Sequence, residues 1–92
     1  MSGQVGADLA TLRALHKTFQ QKAQDANQMK SVIDSGVHNA VWVGNYANQF
    51  RTAWQEYKRN LDRLHEALQG AAEDVKKNHN NQALASGEHD RI

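Results

Sequence analysis

At 92 residues the chain makes at most one small domain, and one that buries its apolar surface only marginally when alone. Eleven lysines and arginines stand against ten aspartates and glutamates with no basic block, a balance that argues against a nucleic-acid ligand. The absence of cysteine excludes disulfides and thiolate metal sites, and the absence of proline suits long unbroken helices, since proline costs about 3 kcal/mol inside one.

In chain order, residues 1–6 read as a flexible N-terminal arm. Met1-Ser2-Gly3-Gln4 lacks the charged-then-apolar layout of a secretory signal peptide. A first helix is predicted over 7–35, with the Asp8 carboxylate near the positive end of its dipole. Its three-then-four stripe is Leu9, Leu12, His16, Phe19, Ala23, Ala26, Lys30 and Ile33, widened on one flank by Leu15, Met29 and Val32. Gly36 ends the pattern, as glycine commonly does just past a helix C-terminus.

Residues 36–44 form the connection. Within them Trp42 supplies a large apolar ring and Gly44 a backbone free to take conformations closed to other residues. The expectation is a chain reversal pinned by a ring buried against the helices on either side. A second helix is predicted over 45–78. Its stripe is Ala47, Phe50, Trp54, Tyr57, Leu61, Leu64, Leu68, Ala71 and Val75, with every step three or four. The polar, aperiodic stretch 79–92 reads as a flexible C-terminal tail.

Two such stripes joined by a short connection predict an all-α antiparallel hairpin. Pairing positions whose numbers add to 80 sets stripe residue against stripe residue, with Ala26 facing Trp54 and Ala23 facing Tyr57. The predicted packing set is therefore Leu9, Leu12, Phe19, Ala23, Ala26, Ile33, Ala47, Phe50, Trp54, Tyr57, Leu61, Leu64, Leu68 and Val75. Leu15, Met29, Val32, Ala53, Ala67 and Ala72 remain outside it as a candidate partner face, because a lone hairpin cannot cover them. Dimerisation into a four-helix bundle is the expected remedy.

No catalytic or metal constellation emerges, and no cofactor is implied. His16 and His65 come near one level of the predicted hairpin, but nothing clearly completes the three or four ligands zinc needs. The favoured reading is histidines bonded to backbone or water. Glu56, Asp62 and Glu66 interleave with Arg51, Lys58, Arg59 and Arg63 on a solvated, nearly neutral face. No apolar run approaches the roughly 20 residues of a membrane span.

Together, the length, the two proline-free stripes and Trp42-Val43-Gly44 at the turn resemble the Trp-x-Gly (WXG) family of small secreted helical hairpins. That family includes the early secreted antigens of mycobacteria. The resemblance covers roughly residues 7–78. It implies a hairpin that pairs with itself or with a paralogous hairpin, and export by a type VII secretion ATPase without a cleaved signal peptide. It also implies that Trp42 and Gly44 are one half of a composite export signal. The other half, a Tyr-x-x-x-Asp/Glu motif near the end of the partner's second helix, has no counterpart here. Val75 stands near the tyrosine position, and His79 follows where the acid would be. Either this chain is exported on a partner that carries the motif, the preferred reading, or it recognises its system differently or is not exported. A structural or adaptor helical module unrelated to secretion is the competing class.

Overall fold

In the computed structural model, residues 8–87 and 90–92 are described. Two helices, α1 (Leu9–Asn39) and α2 (Asn45–Ala85), pack antiparallel into a rod with principal extents of 65 × 17 × 17 Å. The arm predicted over 1–6 lies outside the described residues.

The start of α1 follows from Asp8, whose extended backbone and carboxylate accepting from the Ala10 N–H at 3.0 Å make an N-cap. Its end corrects the reading of Gly36. The helix passes through that glycine because Val37 continues the seam and is half-buried one residue later. One glycine in a helix costs about 1 kcal/mol, less than losing a packed turn. Nothing lies within 4 Å of a Cβ built at Gly36. Gly36→Ala is therefore expected to raise stability by about 0.5–1 kcal/mol, read as a higher denaturation midpoint.

The second helix likewise outruns its predicted end. His79 and Ala83, both fully buried, extend the inner stripe of Ala47, Trp54, Leu61, Leu68 and Ala72 by two more turns. The polar composition of 79–85 hid that continuation. Beyond α2 the chain turns back onto the hairpin. Asn80 accepts from the Ile92 N–H at 2.9 Å and donates to its carbonyl at 3.2 Å, and Arg13 pairs with Asp90. A flexible tail over 79–92 is thus corrected for the residues described.

The register also differs. The His16 Nδ1 donates to the Ala72 carbonyl at 2.8 Å, the His65 Nδ1 to the Ala23 carbonyl at 2.6 Å, and the Trp54 Nε1 to Asp34 at 2.8 Å. In each pair the residue numbers add to 88, so Trp54 lies level with Asp34 and not with Ala26. A heptad stripe superposes on itself after about seven residues, so periodicity alone cannot separate 80 from 88. The turn decides it, and the turn is shorter and later than Gly36 suggested.

Candidate functional site

The seam between the helices is narrow. Ala23, Ala26, Ala47 and Trp54 are buried in it, and Leu9, Leu12, Phe19, Leu61, Leu68 and Val75 are half-buried. Ala72 belongs to the seam too, at 3% exposure, and not to the partner face proposed for it. Its carbonyl is the acceptor for His16. Both His16 and His65 thus cap backbone carbonyls across the seam, and they do so about one heptad apart rather than on one level. Among the described residues no three or more His, Cys, Asp or Glu side chains form a metal-sized cluster. His79 is sealed in the seam, with Nδ1 at 3.1 Å from the side-chain amide oxygen (Oδ1) of Asn80 and Nε2 without a partner among the described residues.

Trp54 is the aromatic anchor of the hairpin. Its indole N–H bonds the Asp34 carboxylate, which Lys58 also meets at 3.1 Å. The bond from Trp54, and then that from Lys58, holds the Asp34 carboxyl below its ordinary value of 3.8. A depressed carboxyl pKa stabilises the fold above the unfolded value and ceases to do so as pH falls through the folded one. Thermal midpoints taken between about pH 6 and about pH 2 are therefore expected to fall more steeply below about pH 4 in the wild type than in Asp34→Asn. Equal acid slopes would remove Asp34 from the account.

The flanks of the seam differ in character. One carries Lys30–Asp62 at 2.5 Å and Lys58–Asp34, both bridging the helices, with Gln20, Gln24, Gln69 and Glu73 farther along. The Arg59–Glu56 pair at 2.7 Å lies within α2. The other flank is apolar. Phe50, Tyr57 and Leu64, predicted as seam residues, stand 38%, 51% and 46% exposed, and Ile33 of α1 is 41% exposed. At about 100° per residue Tyr57 sits some 60° round the helix from Trp54, which turns the 50–57–64 row out of the seam. Leu15, Met29, Val32 and Ala67 are exposed, and Ala53 is half-buried. The strong α2 stripe is therefore a composite of two adjoining faces. Only one of them is buried.

The turn is the third feature. Ala40 leaves α1 with extended backbone, and Gly44 enters α2 at φ 113° and ψ −176°, a region essentially reserved to glycine. Trp42 does not bury itself between the helices. It is 44% exposed and its ring meets Phe50, with ring centroids 5.6 Å apart and planes tilted by 43°. Val41, Val43 and Tyr46 around it are almost wholly exposed. The hairpin thus ends in an apolar tip that adjoins the apolar flank through Phe50.

An exposed tryptophan and a required glycine two residues later, at the tip of a two-helix hairpin, are what a Trp-x-Gly turn demands. Over residues 4–84 the chain matches the family described as WXG100, proteins of 100 residues with WXG. The chain belongs to the WXG100 family. No curated protein and no solved structure matches it. WXG100 proteins are small helical hairpins associated with type VII secretion, and theirs is not an enzyme family. Among the described residues of this WXG100 chain no helix is long and apolar enough to cross a membrane.

Proposed function

We propose that this hairpin is a substrate of a type VII secretion system, exported without a cleaved signal peptide as one half of a four-helix bundle. The observation that carries this reading is the exposed apolar flank of Leu15, Met29, Ile33, Phe50, Tyr57 and Leu64, running along a rod too thin to cover it. A second hairpin laid on that flank doubles the core. The occupant is a paralogous WXG-type hairpin or a second copy of this chain, and the end of α2 favours the former. Val75 is half-buried and His79 fully buried there, so neither supplies the outward tyrosine or acid of the second half-signal. A partner carrying that half would complete it, with Trp42 at the tip as this chain's contribution to the surface read by the export ATPase.

The test is appearance in the culture medium from hosts with an active or an inactivated export ATPase, together with the mass in solution by light scattering at several concentrations. Export that needs both the ATPase and a co-expressed second hairpin is expected. Export indifferent to the ATPase would overturn the reading, and a stable homodimer would shift it to self-pairing.

A further inference from the structure

Among the described residues, 40–44 link two helices without a turn bond of their own; the backbone bond from Asn48 N–H to the Gly44 carbonyl belongs to the first turn of α2. The loop is held instead by a side chain. Arg51, half-buried nearly two turns into α2, donates from one terminal nitrogen to the Trp42 carbonyl at 2.8 Å and from the other to the Ala40 carbonyl at 3.2 Å. Among the described residues it makes no ion pair, although Asp34 and Glu56 bracket this end of the hairpin in sequence; they engage Lys58, Arg59 and Arg63. A guanidinium presents paired donors in a fixed plane, which suits two carbonyls two residues apart, whereas an ammonium is a single point charge.

We infer that Arg51 is the positioning residue for the Trp42 recognition surface; the inference rests on the proposed reading of Trp42 as part of the export signal. Three constraints converge on the loop. Gly44 fixes the exit into α2, Phe50 supports the indole, and Arg51 fixes the backbone on both sides of Val41. With Trp42's carbonyl tied on one side and its ring propped on the other, the indole has one orientation to offer. Val41 and Val43 then project into solvent beside it. From Ser35 to Gln55 the sequence holds no carboxylate, and the one arginine there spends donors on the loop itself. The tip is consequently presented as an apolar surface without acidic groups, which fits an apolar recess that admits an indole rather than a charged pocket.

Arg51→Lys and Arg51→Ala test this beside Trp42→Ala as reference, with export, thermal midpoint and backbone order parameters of residues 40–44 as readouts. Both Arg51 variants are expected to fold, to export at least about tenfold less than wild type, and to drop loop order parameters from about 0.85 to below about 0.6. Arg51→Lys keeps the charge and loses the fork, so full export from it would overturn the positioning role. So would unchanged loop order in both variants. Export lost with Trp42→Ala yet kept in both Arg51 variants overturns this inference alone. Export kept with Trp42→Ala overturns the reading beneath it as well.

Discussion

Trp54→Ala is expected to leave the chain without a stable fold, whereas Trp42→Ala is expected to fold almost normally and fail in export. The two rings differ in what surrounds them. Trp54 is 5% exposed, fills the seam and ties α2 to α1 through Asp34. Truncating such a ring costs about 3–5 kcal/mol, from lost burial and the cavity left behind. Stabilities of small domains run about 0.05–0.15 kcal/mol per residue, and a rod with one thin seam belongs at the low end of that range. The loss then takes most of what holds the hairpin. Trp42 is 44% exposed, lies outside the seam and makes one ring pair, with Phe50, worth about 0.5–1.5 kcal/mol beyond the area it buries. Circular dichroism melts should therefore separate the two variants by tens of degrees. Secretion should separate Trp42→Ala from wild type at matched intracellular level. Parallel loss of folding and export in Trp42→Ala would return that ring to a purely structural role.

That the buried tryptophan is Trp54 while the motif tryptophan faces solvent marks how far the sequence could be read. The hairpin, both helices and the family were legible because proline-free three-four stripes and a Trp-x-Gly turn are local signals. The register was not. It depends on where α1 stops, and Gly36 resembles a terminator when only its own propensity is weighed. Val37 outweighs it through a contact with the other helix, which no local pattern displays. The same limit misplaced Phe50, Tyr57 and Leu64. Periodicity reports where apolar residues lie on a helix, not which neighbour they meet, so a seam and an adjoining partner face merged into one stripe. His65, Ala72 and His79 were passed over as inner positions because small or polar side chains add little to an apolar pattern. Here His65 reaches the Ala23 carbonyl, Ala72 offers its own carbonyl to His16, and His79 is buried farther along the same seam. The role of Arg51 had no signature at all. In sequence it was one cation of a solvated ridge, and only the fold brings it against the loop carbonyls.

Because the outward row is distinct from the seam, association can be broken without unfolding the hairpin, and Leu64→Glu is the substitution expected to do it. Leu64 is 46% exposed and carries no hydrogen bond or ion pair to α1 among those described, so a carboxylate there remains hydrated in the isolated chain. Beneath a second hairpin the same carboxylate loses its water with no cation assigned to meet it, and removes the apolar area that drives docking. Burying a leucine contributes about 1.5–3 kcal/mol, and an unpaired charge adds a desolvation cost of several more. A weakening of at least about 100-fold follows, since each 1.4 kcal/mol is tenfold in the dissociation constant. Gln69→Glu, on the flank with the interhelical ion pairs, is the matched control, adding the same charge where no partner is proposed. Light scattering or sedimentation of each variant, alone and with a candidate partner hairpin, should show Leu64→Glu dissociated with wild-type helicity and Gln69→Glu assembled. Assembly persisting in Leu64→Glu would move the interface off the 50–57–64 row, and dissociation in both variants would mean that net charge governs assembly. The first result would also leave Phe50 exposed beside Trp42, separating the tip from the bundle that the export machinery is proposed to read.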